Sequence, residues 1–202
     1  MEDKTQVDPE STFSRHSTKT AVKAVDDVTI RFAGDSGDGM QLTGTQFSET
    51  VAATGLDVGT LPDYPAEIRA PAGTLYGVSG FQIHFSSHEV HTAGDQVDIL
   101  VAMNPAALKV NLKDLKKNGI IIANSDSFDK KNLDLAEYKT NPLEDDSLEG
   151  YLVYDIPITK QTLETLKDMK LPMKSAVKCK NFFALGVVLW LYNKSIDYTM
   201  NW

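Results

Sequence analysis

Two short segments hold residue types that could bind a ligand. The first is the glycine turn Gly34-Asp35-Ser36-Gly37-Asp38-Gly39, set between a β-prone run and a stretch of helical spacing. A turn from a buried strand into a helix leaves backbone N–H groups free at the helix start, and such a place attracts anions. Gly34, Gly37 and Gly39 permit positive φ and close backbone approach, so a cradle for phosphate or carboxylate is one reading. A purely structural turn is the other. The spacing is G-x-x-G-x-G rather than the dinucleotide pattern G-x-G-x-x-G. Asp35 and Asp38 can cap the helix themselves, and no Lys or Arg lies in the turn. The acid that would hold a ribose belongs near the end of the next strand, whereas Asp57 sits near its beginning.

The second segment is Asp63–Thr74, DYPAEIRAPAGT. Loops at the carboxyl ends of strands are where open α/β sheets bind ligands. Arg69 is a grip for carboxylate or phosphate. Equally, Glu67 and Arg69 serve to fix the proline-stiffened loop or a partner subunit.

Other reactive residues give weaker signals. His84, His88 and His91 run across a strand end into a loop, where three side chains need not converge on a metal. Ser36 stands in a G-D-S-G string but no serine-hydrolase elbow surrounds it. The single cysteine, Cys179, lies in an apolar helix and reads as packing. Lys174, Lys178 and Lys180 sit at that helix's start, where the dipole disfavours cations; an anion, an acidic partner or plain solvation would each account for them.

These segments must be positioned by a framework. Val28–Ala33 predicts a strand, Met40–Ala53 a helix, Leu56–Leu61 a second strand, and Thr74–Phe85 a bulged strand with the possibility of antiparallel pairing. Val97–Met103 and Gly119–Ala123 are apolar runs fit for strands buried on both faces, with a helix over Pro105–Leu115 between them. Ser125–Glu149 is polar and reads as an excursion before a strand at Tyr151–Ile156. Helices over Pro157–Lys170 and Ser175–Asn193 close the chain, the latter apolar and largely buried. The alternation implies an α/β fold: three layers, a mostly parallel sheet with helices on both faces. Residues 1–24 are polar and aperiodic and read as a disordered tail, leaving 25–202 as one domain.

The net charge of −8 argues against nucleic acid and against an anionic membrane. An iron–sulfur cluster needs about four thiolates, so one cysteine cannot hold it. No run reaches the roughly 18 apolar residues of a membrane span, and no signal-peptide core opens the chain, so the cytoplasm is expected.

In order, FAGDSGDG, DYPAEIRAPAGTLYGVSGFQI, AGDQVDILVAMNPAAL, NGIIIANSD and KNFFALGVVLWLY resemble the gamma domain of pyruvate:ferredoxin and related 2-oxoacid oxidoreductases over about residues 28–192. EIRAPAGT and VAMNPAAL look closest to the alpha subunit of the 2-oxoglutarate type, where this domain precedes a thiamine-pyrophosphate-enzyme domain. The resemblance implies the fold of domain III of pyruvate:ferredoxin oxidoreductase. It also implies a role in an enzyme that decarboxylates a 2-oxoacid on thiamine pyrophosphate and Mg, passes electrons through iron–sulfur clusters to ferredoxin, and loads the acyl group onto coenzyme A. Thiamine and clusters belong to partners: a thiamine-binding alpha domain and a beta subunit. The isolated domain is expected to be inactive, with no catalytic residue and no metal of its own. Gly34, Gly37, Gly39, Glu67 and Arg69 are its candidates for coenzyme A or interface contact. Two departures stand out: the family turn often has Gln where Asp38 stands, and the fused subunit continues past Trp202, so the chain reads as ending short of a next domain. An independent nucleotide-binding α/β enzyme and a purely structural interaction module remain as alternatives.

Overall fold

The computed structural model describes residues 26–64 and 77–201. The predicted tail at 1–24 and the segment holding Glu67 and Arg69 lie outside the described residues.

Six strands form one sheet: β1 (Asp27–Asp35), β2 (Asp57–Asp63), β3 (Val78–Ser86), β4 (Val97–Ala102), β5 (Leu115–Asn124) and β6 (Leu152–Ile156). Their order is β2-β3-β1-β4-β5-β6. β1, β4, β5 and β6 pair in parallel, and β3 runs antiparallel between β2 and β1. Five strands therefore share one direction, and the two glycines of the β3 region accompany the one reversed strand.

Period-two alternation divides the sheet's residues between two cores. Val28, Ile30 and Phe32 of β1, with Ile99, Val101 and Ile122, face one way. They pack under α1 (Met40–Ala52) and the apolar helix later in the chain. Ala33, Leu100, Ala102, Ile121 and Ala123 face the other way, towards Ala107 and Leu108 of α2 (Pro105–Asn111). Phe128 and Leu148 extend that second layer; they flank the short helix α3 (Lys130–Leu135). The polar excursion thus covers part of the sheet.

Past β6 come α4 (Ile158–Leu166), α5 (Met173–Lys178), α6 (Lys180–Leu191) and α7 (Asp197–Met200). Ser175–Asn193 was expected as one helix and forms two. At Cys179 ψ flattens to −5°, and its carbonyl accepts from both Phe182 N–H and Phe183 N–H at 3.1 and 3.3 Å. The break turns Lys180 and Asn181 toward the glycine turn. The strand expected at Gly119–Ala123 begins at Leu115, because pairing with β4 shifts register beyond Val97, where Asn118 takes φ 60°.

A chain of aromatic contacts seats α1 on the sheet. Phe47 lies 6.0 Å from Phe32 and 5.6 Å from Phe85, and Phe85 lies 5.4 Å from Tyr192 just after α6. Burying Phe47 is worth roughly 1.5–3 kcal/mol. Gly44 lets α1 come close to β3, since a Cβ there would stand 2.2 Å from the Phe81 ring.

Candidate functional site

Strand order reverses beside β1. The chain leaves β1 through α1 on one face, and leaves the adjacent β4 through α2 on the other. In open α/β sheets the crevice outside the carboxyl ends of two such strands is where ligands bind. The glycine turn sits on one side of this crevice and Asn104, which follows β4, on the other.

The turn is built by its own acids, but they do not cap the helix. Asp38 N–H donates to the Asp35 carbonyl at 2.9 Å, and Asp35 N–H donates to Asp38 Oδ2 at 3.3 Å. Asp38 Oδ1 is 2.8 Å from Lys180 Nζ, with both side chains about one-seventh exposed or less. Asp35 Oδ1 accepts from Asn104 Nδ2 at 2.8 Å across the crevice. Among the described residues no side chain caps α1, and no acid lies in its first turn, so these residues leave the positive end of the helix open.

Partial loss of water around the Asp35 carboxyl, followed by repulsion from Asp38, raises its pKa, although the residue keeps an exposed edge; the Asn104 amide and Lys180 pull it partly back. Lys180 supplies the cation that the turn itself lacks. The lysine that looked misplaced at a helix start is thus accounted for by an acidic partner within the chain, while Lys174 and Lys178 are exposed.

The three turn glycines differ in what demands them. Gly39, the N-cap residue, has φ 75°, and a Cβ on it would collide with Asn181 Nδ2 at 2.4 Å. Gly34 is packed tightly, with a would-be Cβ 3.0 Å from Asp38 Oδ2 and 3.1 Å from Met103 Cβ. Gly37 has open space and is not among the positive-φ glycines, so neither close approach nor φ explains it.

The described strands that flank the segment holding Glu67 and Arg69 meet at this same rim, β2 ending at Asp63 and β3 beginning at Val78. Asp63 pairs with Gly80 across β2 and β3, and Gly34 pairs with Ser79 across β1 and β3. Gln41, in the first turn of α1, ties them: its Nε2 donates to Gly80 O at 2.8 Å and to Asp63 O and Ser79 Oγ at 3.2 Å. Glu67 and Arg69 belong to the part outside the described residues.

Amides continue the rim along the sheet. Asn104 caps α2 by accepting from Ala107 N–H at 2.8 Å. Asn124, fully buried at the end of β5, donates to Ser127 Oγ at 2.8 Å and to Thr159 Oγ1 at 3.1 Å. Sequence reading missed Asn104, Asn124, Asn181 and Gln41. Only Asn104 carried a local signal, as a capping residue directly before a proline at the first helical position.

The histidines do not converge. His84 lies at the opposite end of β1, where it contacts Asp27 at 3.0 Å and the Thr92 carbonyl at 2.7 Å. His88 contacts Ser87 at 3.2 Å. Among the described residues no three His, Cys, Asp or Glu side chains group as metal ligands, and no helix is long and apolar enough to cross a membrane. Among the described residues the rim offers hydrogen-bond donors to an anion, and no nucleophile paired with a base.

A family model described as pyruvate ferredoxin/flavodoxin oxidoreductase matches residues 29–199. Over 175 residues the chain is 50% identical to the 2-oxoglutarate oxidoreductase subunit KorA of Mycobacterium tuberculosis, covering 87% of this chain and 27% of that protein. A solved 2-oxoglutarate:ferredoxin oxidoreductase from Magnetococcus marinus, with 2-oxoglutarate, coenzyme A and succinyl-CoA bound, superposes with a TM-score of 0.63 at 27% identity, over 87% of this chain and 26% of that one. The gamma subunit of a keto/oxoacid ferredoxin oxidoreductase from Geobacter sulfurreducens shares the fold, with a TM-score of 0.58 at 20% identity, over 85% of this chain and 81% of that one. The chain spans about a quarter of the length of the first two.

Proposed function

Because the chain belongs to the pyruvate ferredoxin/flavodoxin oxidoreductase family, we propose that residues 25–202 are the gamma domain of a cytoplasmic 2-oxoacid:ferredoxin oxidoreductase that acts on 2-oxoglutarate. The observation that carries this reading is the 50% identity to a 2-oxoglutarate oxidoreductase subunit along most of the chain. In this reading the domain works beside a thiamine-binding domain and a beta subunit, with ferredoxin as the electron acceptor. Thiamine pyrophosphate with Mg supplies the decarboxylation, and iron–sulfur clusters carry the electrons. Cys179 alone cannot hold a cluster, so those centres sit on the partners.

This chain's part is to bind and position. The open start of α1 takes negative charge from coenzyme A. The Asp38–Lys180 pair keeps the turn's own carboxylate from competing. Gln41 ties the end of β2 to β3 at the helix start, and Glu67 and Arg69 are the candidates for contact with coenzyme A or with a neighbouring subunit. Gly34, Gly37 and Gly39 contribute backbone rather than side chains.

The test is to co-express the chain with its thiamine-binding and iron–sulfur partners and to follow dye reduction. Reduction that requires both 2-oxoglutarate and coenzyme A, absent from the chain alone, is expected. Turnover by the isolated chain, or a complete assembly inert toward every 2-oxoacid, would refute the reading.

A further inference from the structure

A strap crosses the sheet at the end away from the glycine turn. Residues Ser87–Gln96 join β3 to β4, and none of them is buried. Val90 and Ala93 are their only apolar side chains, so apolar packing does little to hold them. Polar side chains of the sheet hold them instead. Gln82 Nε2 donates to the Ala93 and Gly94 carbonyls at 2.7 and 2.6 Å. Asp57 Oδ2 accepts from Val90 N–H at 2.7 Å. His84 makes the remaining contact: its Nδ1 lies 2.7 Å from the Thr92 carbonyl, and its Nε2 lies 3.0 Å from both carboxylate oxygens of Asp27. A carbonyl and an ionised carboxylate can only accept. A neutral imidazole has one N–H and an imidazolium has two, so the ring satisfies both neighbours only when it is protonated. When a single N–H remains, the bond to the charged carboxylate is the stronger one, and the Thr92 carbonyl is left facing a lone pair.

We propose that His84 is a proton-operated latch: its imidazolium pins the strap Ser87–Gln96 to the sheet at Thr92, and loss of one ring proton to water frees the strap. The charged groups around the ring are few. Asp27 on β1 favours the proton, and Lys116 on β5 opposes it, with its ammonium drawn to within 2.7 Å of Asp98 on β4. Asp57 on β2 is committed to Val90 N–H. His88, Glu89, His91 and Asp95 belong to the strap itself and are exposed. Burial of the ring lowers its pKa, but Thr92 and Asp27 outweigh burial and leave it raised. The latch is therefore closed below the ordinary histidine range and opens as pH rises through and above it. Beneath the strap lie Thr29 and Gln82, both buried, with Gly94 packed on the Thr29 hydroxyl; opening exposes this polar strip of β1 and β3. The latch does not depend on the oxidoreductase reading.

In the full chain, labelled with ¹⁵N, the His84 ring nitrogens and the Val90 and Gly94 amides are followed by NMR from pH 5.5 to 9. At the acid end both ring nitrogens are expected to carry protons. Through the His84 titration the exchange protection factors of Val90 and Gly94, which already allow for the intrinsic effect of pH, should fall at least about tenfold, the loss of one hydrogen bond to a charged group. Those of Ile99 and Val101 in β4 should stay constant. Asp27→Asn removes the carboxylate that favours the proton, so the His84 midpoint and the fall in protection should move together to lower pH. His84→Gln removes the titrating group and should abolish the step. Melting curves report folding of each variant, and Asp27→Asn serves alone if His84→Gln does not fold. A ring still neutral at pH 5.5, constant protection across the His84 titration, or a step that stays in place when the His84 midpoint moves would overturn the proposal. So would the same step in folded His84→Gln, where His88 or His91 would have to cause it.

Discussion

Lys180→Met tests how the glycine turn tolerates its own acids. The substitution keeps most of the apolar stem but leaves Asp38, whose side chain is 13% exposed, without the ammonium 2.8 Å away. Breaking a fully buried pair from one side costs roughly 3–5 kcal/mol, because a charge stays behind in a poor solvent. Asp38 retains one backbone donor, Asp35 N–H at 3.3 Å, and some contact with water, so the cost here should be about 2–3 kcal/mol. For a domain of this size that corresponds to a melting temperature lower by roughly 5–10 °C. Asp38→Asn should cost less, about 1 kcal/mol, since the long lysine stem can carry its charge out to water. In the double variant the stranded carboxylate is gone, so most of the Lys180→Met loss should disappear, a coupling of about 2 kcal/mol. Urea unfolding of the four proteins at neutral pH gives the cycle. A Lys180→Met protein within about 0.5 kcal/mol of the parent, or a loss of the same size in the Asp38→Asn background, would refute the idea that the pair neutralises the turn.

Three further outcomes follow from the packing and the titrating groups. Gly44→Ala should destabilise by about 1–3 kcal/mol in urea unfolding, because its Cβ would meet the Phe81 ring at 2.2 Å and lift α1 from β3; a neutral result would mean that α1 can slide. Asp35 has a raised pKa, so the folded chain binds its proton more tightly than the unfolded chain does. Its contribution is complete below the ordinary carboxylate value and is lost as pH rises through the folded pKa. Asp35→Asn should therefore raise the melting temperature at pH 7, with a gap that closes as the pH is lowered below 4. The pKa of His84 is also raised: burial, the largest influence, lowers it, but the Thr92 carbonyl and the Asp27 carboxylate together outweigh burial. Its stabilisation is present below the ordinary histidine range and is lost as pH rises through and above it. Between pH 5.5 and 8.5 the parent should therefore lose more stability than Asp27→Asn, which a parallel pair of urea series would show.

The inner strands were legible because they are buried on both faces and announce themselves as apolar runs, so Val97–Met103 was placed to within a residue of β4; Tyr151–Ile156 was placed to within a residue of β6 on its β-prone residues, although that edge strand is largely exposed. The glycine turn was legible as a strand-to-helix junction, and its location at the rim followed from that. What the turn's acids do was not. Asp35 and Asp38 looked like helix caps, and only the approach of α6 and of Asn104 shows them engaged elsewhere. Those contacts join residues far apart in the chain, and no local spacing encodes them. Asn181 is the clearest case, since a single polar residue in an apolar helix has no periodicity of its own, and its meaning lies in the missing Cβ of Gly39. The break at Cys179 was hidden for the same reason: Met173 to Leu191 is uninterrupted by glycine or proline until Gly186, and tertiary packing bends it.

Hydrogen exchange on the assembled enzyme, with and without coenzyme A, addresses the rim most directly. Backbone amides from Gly34 to Thr43, and those following β4 at Asn104, should exchange more slowly when coenzyme A is present, with little change at the far end of the sheet around His84. Protection confined to that far end, or none anywhere in this chain at saturating coenzyme A, would contradict the assignment of the β1–β4 crevice as the ligand-holding edge.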